Sequence, residues 1–326
     1  MSLNRQCLVS FGSNLGTRDS VIVTAIRELA QIPKVENFRA SRLFETPPIG
    51  GPLGQSPFLN GVAVFDTQSR AREVLDWLQS IEQQLGRQRE LRWAARSIDL
   101  DVVLHGSLIG GASDLTVPHP RYTARRFVLR PACDIAADYC DPRFGWTIGQ
   151  LADHLDAGNA SLALTGGDES IRQELCRLLT SLHGIRVFQA SPLPAPMAVL
   201  GTAPLVSREY YNTVSQTMID VEEDQPWVSA FVPPLPDRFN TLATPDKHAG
   251  TETDERAIPR LIARIQWTKP EERWPAPHRI YPSSLQWPEY RLEIDDYTWA
   301  AGEIASALAS MRCPLTPISD NGDWWR

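Results

Sequence analysis

Residues Ile98-Asp99-Leu100-Asp101-Val102 alternate apolar and acidic side chains with a period of two. That period suits a strand with both carboxylates on one face and both aliphatic residues on the other. The segment follows an amphipathic helix over 69–85, whose Val74, Leu78, Ile81 and Leu85 share a face and which Gly86 stops. Further upstream, the apolar run 7–11 closed by Gly12 predicts a buried strand. A helix with Ile22, Ile26 and Leu29 in its stripe follows, started by Thr17 or Asp19 and ended before Pro33. Strands are expected over 38–46 and 58–65, joined by the stiff Thr46-Pro47-Pro48 turn and a Gly/Pro-rich loop over 50–57. The resulting order, β-α-β-β-α-β, is that of a ferredoxin-like sheet with helices on one side, an α+β fold.

At 326 residues the chain exceeds the ~100–200 of one domain. The small, polar run Ala157-Gly158-Asn159-Ala160-Ser161, after a short helix at 147–155, is the expected joint between domains 1–157 and 158–326. The second domain opens with a strand over 161–165 and a helix over 170–182 carrying Ile171, Leu175, Leu178 and Leu182 inward. It ends on a helix near 297–311 with Ala300, Ile304, Leu308 and Met311 on one side. Between them, 190–204 and 225–290 are rich in proline and tryptophan with little periodicity. No run approaches the ~20 apolar residues of a membrane span, and the first residues lack the apolar core of a secretion signal. Five cysteines without CxxC spacing argue against a zinc site or a disulfide framework, so a reducing cytoplasm is the expected setting. Residues 1–157 are net neutral and 158–326 hold the whole excess of acidic charge, which speaks against a nucleic-acid partner.

The densest chemical signal is the stretch 86–101. Arg87, Arg89, Arg92 and Arg96 precede the Asp99/Asp101 pair. A guanidinium can hold two phosphate oxygens at once, and two carboxylates on one strand face suit Mg²⁺, which completes its octahedron with water and phosphate. Together they predict a nucleoside-triphosphate site with a metal clamp.

Other segments join it in one order: Phe11-Gly12-Ser13-Asn14-Leu15-Gly16, Glu45-Thr46-Pro47-Pro48-Ile49-Gly50, Phe58-Leu59-Asn60, Ile81 to Arg87, the Arg92-Trp93 to Asp101 run, Pro118-His119-Pro120-Arg121 and Arg126 to Leu129. Over residues 5–155 this order resembles the 6-hydroxymethyl-7,8-dihydropterin pyrophosphokinases of folate biosynthesis. The resemblance implies the ferredoxin-like fold and transfer of pyrophosphate from ATP to the pterin hydroxyl, giving AMP. It implies that Asp99 and Asp101 hold two Mg²⁺ ions, and that Glu82, Arg87, Arg89, Arg92, Trp93, Arg96, Ile98, His119 and Arg125 serve ATP, with Arg87 and Arg92 among the catalytic groups. It implies a pterin between Phe58 and Phe127, read by Asn60 and by the main chain of Thr46, Pro47, Pro48 and Ile49. Where the family usually has Gly-Pro, this chain has Ala94-Ala95.

The second domain is an α/β unit of undetermined role and partner. Leu162-Ala163-Leu164-Thr165-Gly166 followed by a helix looks like the opening of a P-loop kinase, as in fusions with deoxynucleoside kinases. A working loop needs G-x-x-x-x-G-K-[ST]. Counting from Gly166 places Ile171, Arg172 and Gln173 where glycine, lysine and hydroxyl belong, and Asp168 and Glu169 inside the phosphate cradle. Either a P-loop-like domain has lost catalysis and serves packing or partner binding, or the domain is an unrelated α/β fold.

Overall fold

The protein is described here from a computed structural model covering residues 4–52, 54–86, 96–112, 114–188, 225–232, 235, 258–267 and 287–326. The chain starts with β1 (Arg5–Ser13), α1 (Arg18–Ala30), β2 (Glu36–Ala40), β3 (Phe44–Thr46), β4 (Phe58–Thr67), α2 (Ala71–Gln84) and β5 (Asp99–His105). β5, β1 and β4 lie side by side and antiparallel, and β2 and β3 share the far side of β4. The strand expected over 38–46 is thus broken into two. At the break the Ser41 hydroxyl accepts the Val62 N–H, and Arg42 turns away, its main-chain N–H and guanidinium both donating to Asp134.

The sheet has two apolar faces with different partners. Cys7, Val9 and Phe11 of β1, with Leu100 and Val102 of β5, pack on the stripes Ile22, Ile26, Leu29 of α1 and Val74, Leu78, Ile81 of α2. Leu8, Val62 and Val64 point the other way, into a core shared with the rest of the chain. After the short hairpin β6 (Gly110–Ala112) and β7 (Leu115–Val117), a 3-10 turn (Tyr122–Ala124) leads to α3 (Arg126–Ala136) and then α4 (Ile148–Asp156). The sequence reading gave α3 no element. Thr147 caps α4, accepting from the Gln150 N–H while Gln150 returns the bond.

The remaining described elements form a second sheet: β8 (Ser161–Thr165), α5 (Glu169–His183), β9 (Arg186–Phe188), β10 (Trp227–Ser229), β11 (Leu261–Trp267), β12 (Glu289–Ile294) and α6 (Tyr297–Met311). Its strands are all parallel, in the order β12-β11-β8-β10-β9, so the first strand of the unit lies at its centre. The second part of the expected joint is buried, with Asn159, Ala160 and Ser161 each no more than 5% exposed, while Ala157 is exposed. Across it, Trp146, His154 and Trp287 meet edge to face and the His154 ring bonds the Arg260 carbonyl. The chain then returns to the first sheet. β13 (Thr316–Pro317) pairs with β3, and the Trp324 indole N–H donates to the Ser41 carbonyl. The last 13 residues therefore belong in space to the first unit. No helix among the described residues is long and apolar enough to cross a membrane.

Candidate active site

Strand register assembles the site on the sheet face opposite α1 and α2. Asn60 of β4 and Asp99 of β5 stand directly across from Gly12, and Val62 and Asp101 stand across from Ser10. Residues directly opposed in an antiparallel pair share a face. Leu100 and Val102, opposite Phe11 and Val9, are drawn into the α1/α2 core, which leaves both aspartates on the site face. Gly12 is required by a close approach, because a Cβ there would sit 2.6 Å from Asn60 Oδ1. The Asn60 Nδ2 donates to Thr46 Oγ1 at 2.8 Å, which fixes the carboxamide.

A cavity of about 170 Å³ opens over this face. Thr46, Pro47, Ile49, Phe58, Asn60 and Phe127 line it, together with Arg96, Asp99, Asp101 and Arg125. Pro48 belongs to the same turn without lining the cavity. The Arg125 guanidinium carbon lies 5.8 Å from the Phe127 ring centre. Both aspartates face cations: Arg96 Nη1 is 2.5 Å from Asp99 Oδ2, and Arg125 Nη1 is 3.1 Å from Asp101 Oδ2. Their side chains keep 24% and 32% exposure, so water and a ligand can reach them. Two such oxygen donors on one strand face fit a hard divalent cation such as Mg²⁺.

His119 does not line the cavity but stands behind Asp101. Its main-chain N–H is tied to the Val103 carbonyl of β5. Nδ1 accepts the Arg121 N–H at 3.2 Å, and Nε2 is 3.7 Å from Asp101 Oδ2. Burial first, then the charges of Arg125 and Arg121, hold its pKa well below the usual histidine value, so the ring is neutral at pH 7. With Nδ1 accepting, the ring proton sits on Nε2 and faces the acidic pair.

Glu82 and Ile98, expected beside the nucleotide, are buried and do not line the cavity. Glu82 Oε1 accepts the Leu100 N–H at 2.7 Å, so α2 braces the acidic strand through this carboxylate. Arg87, Arg89, Arg92 and Trp93 lie outside the described residues. Asn14, 3% exposed, bonds the Arg96 main chain in both directions and donates from Nδ2 to Gln55 Oε1 and the Ser56 carbonyl. One buried amide thus ties Arg96, just before β5, to the end of the 50–57 loop.

The sequence reading missed the part of the wall that comes from the second unit. Tyr290 of β12 and Glu303, Ser306, Ala307 and Ser310 of α6 also line the cavity. Glu303 offered a signal, being an acid beside the apolar stripe of a helix, where an ionised group is seldom buried unpaired.

Arginines, paired carboxylates, aromatic rings and a fixed amide thus meet at one cavity. The chain belongs to the 7,8-dihydro-6-hydroxymethylpterin-pyrophosphokinase family, whose profile matches residues 8–137. It is 40% identical over 130 residues to the 2-amino-4-hydroxy-6-hydroxymethyldihydropteridine pyrophosphokinase of Pseudomonas aeruginosa, an alignment covering 40% of this chain and 80% of that protein. With the Synechocystis enzyme of the same name it shares 36% identity over 155 residues, 47% of this chain and 78% of that one. Among solved structures, a Plasmodium falciparum HPPK-DHPS with pteroate aligns at 11% identity and a TM-score of 0.37, covering 55% of this chain and 54% of that one. The protein is a pyrophosphokinase of folate synthesis.

Proposed function

We propose that the cavity binds 6-hydroxymethyl-7,8-dihydropterin beside ATP and moves the terminal pyrophosphoryl group from one to the other. The observation that carries this reading is the shared register of Asn60, Asp99 and Asp101 on one sheet face, which sets a heterocycle reader next to a phosphate and metal clamp. The pterin ring lies between Phe58 and Phe127, with its amide-like edge on Asn60 and the 46–49 turn. Asp99 and Asp101 would hold two Mg²⁺ ions, and Mg²⁺ bound there supplies countercharge to the polyphosphate. Arg96 and Arg125 hold phosphate oxygens, and His119 offers its Nε2–H to the same group. Arg87, Arg89, Arg92 and Trp93 complete the nucleotide side in this reading. The pterin hydroxyl oxygen attacks the β-phosphorus, the bond from that phosphorus to the oxygen carried by the α-phosphate breaks, and AMP leaves. No side-chain nucleophile is needed, so the chain's task is to align the reactants and neutralise charge.

Calorimetric titrations test these assignments. Phe127→Ala should weaken pterin binding by about 2- to 10-fold, the equivalent of ~0.5–1.5 kcal/mol of stacking, with little change for a non-hydrolysable ATP analogue. Arg96→Ala should do the reverse. Equal effects on both ligands would contradict the assignment.

For the second unit, we infer a P-loop-like domain without a working loop. Its parallel sheet, with β8 central and followed by Gly166-Gly167 and α5, supports the P-loop likeness. The loss of function is supported by Arg172, whose guanidinium donates to the carbonyls of Gly166, Gly167 and Ala230, and by Asp168 and Glu169 at the helix start. The loop's carbonyls are thus turned to the protein's own cation, and two exposed carboxylates at the helix start would repel a phosphate.

A further inference from the structure

The loop that brings Arg121 and Arg125 to the cavity is held by the second unit. The Arg291 N–H of β12 donates to the Pro120 carbonyl at 3.0 Å, and Thr123 Oγ1 donates to the Glu289 carbonyl at 2.8 Å. Between these two ties, Arg121 Nη1 meets Glu303 Oε2 at 2.6 Å, and the Tyr290 hydroxyl donates to the same carboxylate at 3.3 Å. The Glu303 side chain is only 3% exposed, whereas that of Arg121 keeps 28%. A buried carboxylate with a partly exposed arginine is arranged to fix the guanidinium's direction while leaving some of its N–H groups for a ligand. Arg121, Glu303 and Tyr290 all line the cavity, so the pair lies in the site itself.

We propose that β12 and α6 have become a working wall of the transferase site. Glu303 is a positioning residue that holds Arg121 toward the polyphosphate of ATP, and Ser306 contributes to the shape of the cavity. This rests on reading the cavity as the site of pyrophosphoryl transfer. The second unit then contributes no chemistry of its own, yet the first unit depends on it for the placement of one phosphate-binding arginine.

Steady-state kinetics of the full-length chain test this. Glu303→Gln keeps the shape and removes the charge, and should raise the KM for ATP about tenfold while leaving the KM for the pterin near the wild-type value. Glu303→Asp should recover part of the loss. Arg121→Ala alone and combined with Glu303→Gln should behave alike, because the carboxylate acts through the arginine. Ser306→Phe, at a half-buried position, should raise the KM of at least one substrate without lowering the melting temperature, and it serves where Glu303→Gln does not fold. Wild-type constants in Glu303→Gln, additive effects in the double variant, or wild-type constants in Ser306→Phe would each overturn the proposal while the functional reading stands. A wild-type chain that binds ATP and pterin but forms no AMP would overturn the functional reading instead, and this inference with it.

Discussion

Asp99 and Asp101 reach solvent only because Leu100 and Val102 are claimed by the α1/α2 core, so their placement follows from hydrophobic burial on the other side of the strand. Replacing either by Asn keeps that pattern. Asp99→Asn and Asp101→Asn should each cut turnover by about 10²-fold or more, with melting temperatures close to wild type. Turnover and thermal melts on the same preparations check this, and wild-type turnover would mean that the clamp lies elsewhere. His119 yields a pH prediction. Burial and two arginines depress its pKa in the fold, so between that value and the unfolded value near 6.5 the unfolded chain binds more protons. Stability is then full above about pH 6.5 and falls on acidification. His105, depressed chiefly by burial, acts in the same direction. Melts from pH 7.5 to 5 should show this decline, shallower in His119→Gln, and an identical slope would contradict it. The carboxylate pair was legible because period two is a local signal. The Arg121–Glu303 pair joins residues 182 apart in sequence, and no local pattern carries such a contact.

At the scale of elements, α1, α2, α5 and α6 were legible because each carries an apolar stripe at helical spacing, although Leu182, expected inward in the last turn of α5, is exposed. The second sheet was largely hidden. Parallel strands buried on both faces lose the two-residue alternation, and β9 and β10 have three residues each. The break between β2 and β3 was also invisible, since it depends on Arg42 finding Asp134 on α3. The returning tail is the largest omission. β13 lengthens the sheet beside β3, which carries Thr46, while the Trp325 ring packs edge-on against Phe38 and the Arg27 guanidinium holds the carbonyls of Trp325 and Arg326. Trp324 is half-buried against Phe11 and bonded to Ser41. Trp324→Ala should cost about 2 kcal/mol, below the ~3–5 of a fully buried tryptophan, and should weaken pterin binding by loosening the edge that holds the 46–49 turn. Chemical denaturation and a pterin titration measure both effects. Unchanged stability would show that the tail is not a structural strap.

Among the described residues, the two larger sheets share one apolar core, and the cavity takes residues from both units. Leu8 and Val62 of the first sheet, Val128 and Leu129 of α3, and Leu162 and Ile304 of the second unit belong to one apolar cluster. Burial of Asn159, Ala160 and Ser161 at the joint likewise packs the two units together, although composition changes there. The proposed P-loop likeness gives a prediction at this scale. The full chain should phosphorylate no deoxynucleoside, and Arg172→Ala should not create such activity, because Asp168 and Glu169 would still oppose phosphate. A radiolabelled-phosphate assay with the four deoxynucleosides checks it, and any labelled product would make the protein bifunctional. The central claim is the transfer itself. Supplied with ATP, Mg²⁺ and 6-hydroxymethyl-7,8-dihydropterin, the full-length chain should release AMP in step with pterin diphosphate, followed together by phosphorus NMR. ADP as the main product, or AMP formed without the pterin diphosphate, would contradict the account.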